Sequence, residues 1–221
     1  MPDTAIVELS NVDLAYPRSG ELFRNLSLSV RPGETAVITG GPGSGKTTIA
    51  ELLVGRKFAD AGSVEVFGEN LRRGRGRALN RVRRRLGGVG GIFGLVPTYT
   101  AADNITYPLV LAGVRKRARK ERLLRMLTEF SLLTRAQDYP ATLTRVEQTL
   151  VQLARASIAD QPLLVIDEPM AGLDTATARR VFEYLVKASL SGRTMVLLMS
   201  DHPPGTLPNS TSYVIREGRL T

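Results

Sequence analysis

Two short stretches carry residue types that can do phosphate chemistry. The first runs Gly40, Gly41, Pro42, Gly43, Ser44, Gly45, Lys46, Thr47, which fits G-x-x-x-x-G-K-[ST], and Thr48 follows it. Glycines let backbone N–H groups close around phosphate oxygens, a lysine supplies a point charge for the β- and γ-phosphates, and the Thr47 hydroxyl is a ligand for Mg²⁺. The second, LLVIDEP at 163–169, carries Asp167 and Glu168 at the end of an apolar run. Asp167 can hold Mg²⁺ through water, while Glu168 can orient or deprotonate an attacking water. Each stretch also has a plainer reading: a glycine-rich turn with an exposed lysine, or carboxylates that cap the next helix. The two together favour hydrolysis at a bound nucleotide.

The loop needs a strand before it and a helix after it, and both are present. TAVIT (35–39) is a β-branched run ending at glycine, and TTIAELLVG (47–55) has helical spacing that stops at Gly55. Further strands are expected at 4–9, 26–30 and 62–68. LLVID (163–167) and TMVLLMS (194–200) are apolar enough to be parallel strands covered on both faces. Helices at 147–158 and 175–190 separate these runs. From about 72 to 145 the texture is basic and helical, with one apolar stripe of Leu123, Met126, Leu127 and Phe130. The expected fold is α/β, built on a mostly parallel sheet with a helical insertion.

A chain of 221 residues can bury one core, with room for a small lobe. Its 43% hydrophobic and 23% charged content excludes a mainly disordered chain, and the absence of cysteine excludes disulfides and thiolate metal sites. No stretch reads as a secretion signal or a membrane span, so the expected location is the cytosol, with membranes reached only through partners. The net charge of +9 is concentrated: segments 71–86 and 115–125 hold fifteen of the thirty Lys and Arg residues. Such runs suit nucleic acid, anionic lipid or simple solvation. No aromatic residues interleave with them, which argues against binding of single strands by stacking.

With these residues in place, the chain resembles the ATPase subunit of ABC transporters from about residue 5 to 220. The resemblance implies a P-loop core with an N-terminal antiparallel β subdomain (1–86 and 160–221) and a helical subdomain (about 87–159) within one ATPase domain. It implies ATP and Mg²⁺ as ligands, with Tyr16 stacking on adenine. His202 would be the switch histidine that senses the γ-phosphate, although its spacing from Gly192 is longer than in many relatives. Asp174, in AGLD (171–174), would face an opposite subunit. DNITYPLVLAG (103–113) is similar to the lipoprotein-release, cell-division and macrolide-export branch. Membrane-spanning subunits and a second ATPase subunit are the partners implied, at the cytoplasmic face of the membrane. A nucleic-acid partner is disfavoured, because only 120 residues separate Lys46 from Asp167 and leave no room for a long coiled coil.

Two departures stand out. The family's L-S-G-G-[EQ], which meets the ATP of the opposite subunit, reads Leu143, Thr144, Arg145, Val146, Glu147 here. Thr144 keeps a hydroxyl, yet both glycines gain a Cβ, and Thr144 with Glu147 makes a capping box that should preserve the helix start. The family's Phe-Gln appears as Phe93-Gly94, and no glutamine lies between Gly87 and Asn104. The expectation is a heterodimer with a subunit whose signature is intact, leaving one altered ATP site. The competing reading is an ATP-dependent clamp that turns over slowly or not at all.

Overall fold

Three apolar strands alternate their side chains between two cores, and that alternation builds the centre of the molecule. The computed structural model describes residues 4–17, 20–72 and 76–221. Strands β3 (Thr35–Thr39), β7 (Leu163–Asp167) and β8 (Thr194–Met199) are buried along their full length. Ala36, Ile38, Leu163, Val165, Val196 and Leu198 point to one core, whereas Val37, Leu164, Ile166, Met195, Leu197 and Met199 point to the other. Period-two alternation with both faces apolar is what a parallel sheet covered on both sides requires.

The large sheet has the order β10-β9-β3-β8-β7-β6, with β6 (Leu86–Val89), β9 (Ser210–Arg216) and β10 (Arg219–Leu220) completing it. All neighbours pair in parallel except β9 with β10. A second, antiparallel sheet has the order β2-β1-β4-β5, from β1 (Val7–Tyr16), β2 (Gly20–Val30), β4 (Ala61–Val66) and β5 (Glu69–Asn70). It packs over one face of the large sheet together with helix α1 (Lys46–Leu53). The other face carries α3 (Ala101–Leu111), α4 (Lys116–Glu129), α5 (Arg145–Ser157) and α6 (Thr175–Leu190). Leu127 and Phe130 are buried in that second core, with Leu123 and Met126 packed against it, so the apolar stripe read from the sequence is the seam of α4.

The stretch 72–145, expected to be a basic helical insertion, also contributes a strand. After α2 (Gly76–Arg85) the chain enters β6, which pairs with β7 in the core sheet. The sequence LGGV hides a strand because its glycines serve packing: a Cβ on Gly87 would lie 2.2 Å from the Ala156 carbonyl, and one on Gly88 would lie 2.1 Å from the Phe93 ring. Strand β1 also runs further than 4–9. Its polar second half bulges repeatedly against β2 and β4, which breaks the alternation that sequence reading relies on. Strand β9, half exposed, gave no apolar run to find. Two arginines of the basic run, at 73 and 75, lie outside the described residues.

Candidate functional site

The carboxyl ends of β3, β8 and β7 form one edge. Thr39 is in register with Met199, and Asp167 with Leu198, so the chain leaves the three strands side by side. Gly40 N–H donates to the Met199 carbonyl (3.3 Å) and Glu168 N–H to the Leu198 carbonyl (2.9 Å). Ligands of open α/β sheets bind beyond such an edge.

The glycine loop turns there into α1. Gly45 caps the helix at φ 103 and offers no side chain to the first-turn N–H groups, which leaves them directed at the loop. A Cβ at Gly45 would meet the Phe23 ring at 2.5 Å, so β2 presses the loop from behind and only glycine fits. Lys46 is 7% exposed, and its ammonium donates to the carbonyls of Gly40 (2.5 Å) and Gly41 (3.2 Å), with Glu168 Oε1 3.5 Å away. Thr47 Oγ1 donates to Asp167 Oδ2 at 2.8 Å, joining the loop to the end of β7. Burial pushes the Asp167 carboxyl above its ordinary value, with the Thr47 hydrogen bond opposing and the Glu168 charge adding to the rise.

Two buried oxygens here lack partners: Asp167 Oδ1 and Ser44 Oγ. A buried carboxylate oxygen left open beside a threonine hydroxyl fits a hard cation. Among the described residues no cluster of His, Asp and Glu could cage a metal unaided, so a cation here would share its ligands with phosphate oxygens. The cleft measures about 420 Å³ and is lined by Tyr16, Leu22, the loop from Pro42 through Thr48, Glu168 and Ser200.

Tyr16 borders the cleft and shares a hydrogen bond with Thr48 Oγ1 (3.0 Å), while the Lys57 ammonium covers its ring at 3.3 Å. Thr144 and Asp174 lie outside the cleft, and each caps a helix. Asp174 accepts from Thr177 N–H at 3.0 Å and starts α6. Thr144 starts α5 with the expected capping box, accepting from Glu147 N–H (3.2 Å) while the Glu147 carboxylate accepts from the Thr144 N–H (2.8 Å) and hydroxyl (2.9 Å). Arg135 holds the other Glu147 oxygen at 2.8 Å. The Thr144 backbone N–H, first among these contacts, keeps Glu147 below its ordinary carboxylate value. Thr144→Ala is expected to destabilise the fold by about 1 kcal/mol in urea denaturation. Because the Glu147 value is lowered by folding, its share of stability is present above the ordinary carboxylate range and lost as pH falls through the folded value. The penalty of Thr144→Ala should therefore shrink in acid, and an equal penalty at all pH values would refute the assignment.

The structure places His202 away from the cleft lining. Strand β8 ends at Met199, so Ser200 is the first residue over the cleft, and its hydroxyl donates to Glu168 Oε1. His202 lies two residues further along an exposed stretch, makes no hydrogen bond or ion pair among the described residues, and does not line the cleft. The long spacing from Gly192 was the sequence signal that pointed past the strand end. Phe93-Gly94 is likewise displaced. The residue that abuts Asp167 is Gly90, at φ 117, where a Cβ would lie 2.7 Å from the Asp167 carbonyl. Gln152 on α5 accepts from Gly90 N–H at 2.8 Å, a contact that only the folded chain displays.

A glycine loop opening a helix, its lysine beside a carboxylate pair at the end of a parallel strand of the same sheet, defines a nucleotide-phosphate site of the P-loop class. The ABC transporter family matches residues 23–171. The cell division ATP-binding protein FtsE of Streptococcus pneumoniae serotype 2 is 31% identical over 198 residues, 90% of this chain and 85% of that protein. The ABC transporter ATP-binding protein YknY of Bacillus subtilis is 30% identical, over 97% of this chain and 95% of its own. The macrolide export ATP-binding/permease protein MacB of Neisseria meningitidis is 29% identical over 98% of this chain, which spans only 34% of it. A dimeric bacterial ABC transporter cassette, MJ0796, superposes with TM-score 0.86 at 25% identity, covering 97% of this chain and 96% of that one; it is also known in a post-hydrolysis state bound to ADP and Pi. The chain belongs to the ABC transporter family, as an ATP-binding subunit with ABC-type ATPase chemistry.

Proposed function

We propose that this subunit drives a membrane-spanning partner as one half of an asymmetric pair, its own cleft hydrolysing Mg-ATP while its α5 start gives the opposite subunit an altered contact. Thr47 and Asp167 would hold Mg²⁺, which supplies charge neutralisation on the phosphates. Lys46 binds the phosphate chain, and Glu168 takes the proton of the attacking water.

The observation that carries the asymmetric reading is the state of Thr144. Its hydroxyl both donates to and accepts from Glu147, and Arg145 with Val146 follow it where close approach of a phosphate needs glycine. That helix start is occupied with its own cap. A slow clamp is the second reading, favoured by Gly90, which brings no side chain to Asp167, and by the lack of any glutamine between Gly87 and Asn104.

Among the described residues no helix is long and apolar enough to cross a membrane. A groove of about 700 Å³ between β6, α3 and α5 supports docking of a partner. Phe93, Leu95, Tyr107 and Leu111 give it apolar walls, and Arg56, Arg83, Arg84 and Arg155 line it without any carboxylate. Arg155, half-buried, donates to the Phe93 and Gly94 carbonyls, and burial lowers its guanidinium below the ordinary arginine value. An acidic, partly apolar segment of the membrane partner suits these walls. The relatives named for macrolide export and cell division make an exporter, or a machine acting on the bilayer, the favoured transport class.

The test is ATP hydrolysis by the purified chain across a wide range of protein concentration, with Glu168→Gln as control. The expected result is clear ATP binding with little turnover until a second ATPase subunit with an intact signature is added. A specific activity that rises with the concentration of this chain alone, and is lost in the control, would show that it works with its own twin.

A further inference from the structure

The residue holding the carboxylate of Glu168 is a serine, and nothing in the family's usual pattern assigns it. Ser200 leaves the end of β8 beside Glu168, because Leu198 pairs with Asp167 and accepts from the Glu168 N–H. Its hydroxyl donates to Glu168 Oε1, the same oxygen that lies 3.5 Å from the Lys46 ammonium. Both donors thus converge on one oxygen, which leaves Oε2 for a water. Glu168 itself is at φ 51, a backbone conformation that costs energy for a residue with a side chain and aims the carboxylate by means of the turn. The turn fixes the direction of the side chain, and the hydroxyl fixes its rotation.

We infer that Ser200 is the positioning residue of this ATP site: it pins Glu168 Oε1 at the end of β8, in the place where an imidazole was expected, and His202 takes no part. A hydrogen bond to a charged group lost from such a site lowers the rate by roughly tenfold to a hundredfold. A serine can do this without titrating near neutral pH, and it can both donate to Glu168 and accept from a neighbour. The inference rests on ATP hydrolysis at the Lys46 cleft and is independent of whether the second ATPase subunit is a twin or a different chain. That pairing is read from the turnover of the chain alone, and Ser200 from variants compared in one and the same assembly.

The experiment is a set of variants in the assembled transporter complex, measured for ATP binding, kcat and KM. Ser200→Ala is expected to lower kcat about tenfold to a hundredfold with KM and ATP affinity nearly unchanged. Ser200→Thr, which keeps the hydroxyl, should restore most of the rate, and His202→Ala should match the wild type. In a Glu168→Gln background Ser200→Ala should cost almost nothing further, since both changes act on the same carboxylate. The inference is overturned if His202→Ala slows turnover as Ser200→Ala was expected to, if Ser200→Ala leaves kcat intact, or if the two substitutions act additively. A wild-type complex that binds ATP with no turnover above Glu168→Gln overturns it as well.

Discussion

Glu168→Gln is expected to lower ATP turnover about a thousandfold while ATP still binds, since positioned general bases contribute some 10²–10⁴ in rate. The substitution is nearly isosteric and keeps an oxygen to accept from Ser200, so the cleft should hold its shape. The N–H of residue 168 still donates to the Leu198 carbonyl, because that contact is made by the main chain. What disappears is the carboxylate that can take a proton from water. Single-turnover hydrolysis together with nucleotide-binding assays checks this. Turnover within tenfold of wild type would remove Glu168 from the chemistry. The same variant separates the two proposed functions inside the complex: a transporter loses cargo movement, whereas a clamp that only needs ATP bound keeps its effect on the partner.

Lys46→Met should weaken ATP binding by at least tenfold to a hundredfold, the worth of one charged hydrogen bond, with ATP affected more than a nucleotide lacking the terminal phosphates. Lys46 is buried at 7% exposure, and its ammonium is held by two loop carbonyls beside the cleft that Glu168 and Ser200 border. Methionine matches the length of the stem without the charge, and the loop's tight approach to the Phe23 ring is made at Gly45. Folding should therefore survive, and isothermal calorimetry on a variant with an unchanged melting curve is the measurement. Unaltered ATP affinity would move the phosphate site away from this loop.

Both residues were legible in the sequence because their meaning is local. A glycine run between a β-branched strand and a helix, and an acidic pair at the end of an apolar strand, declare themselves within a dozen residues. Thr144 and Glu147 belong to the same kind, since a capping box spans one helical turn. Strand β6 was lost for the opposite reason. Its glycines carry no periodic signal, and only the approach of α5 and Phe93 explains them.

The sequence by itself marked which residues have the types and spacing for phosphate chemistry, and the order of strand, loop and helix that presents them. Tertiary structure decided which neighbours complete the site. His202 looked eligible because it follows an apolar run, yet the register of β8 on β7 ends the strand at Met199 and brings Ser200 to Glu168. Gln152, in the middle of a helix, reaches Gly90 across 62 residues of chain. Such contacts depend on strand pairing and helix packing between distant segments, and one residue of register exchanges the side chain that faces a site for the one that faces away.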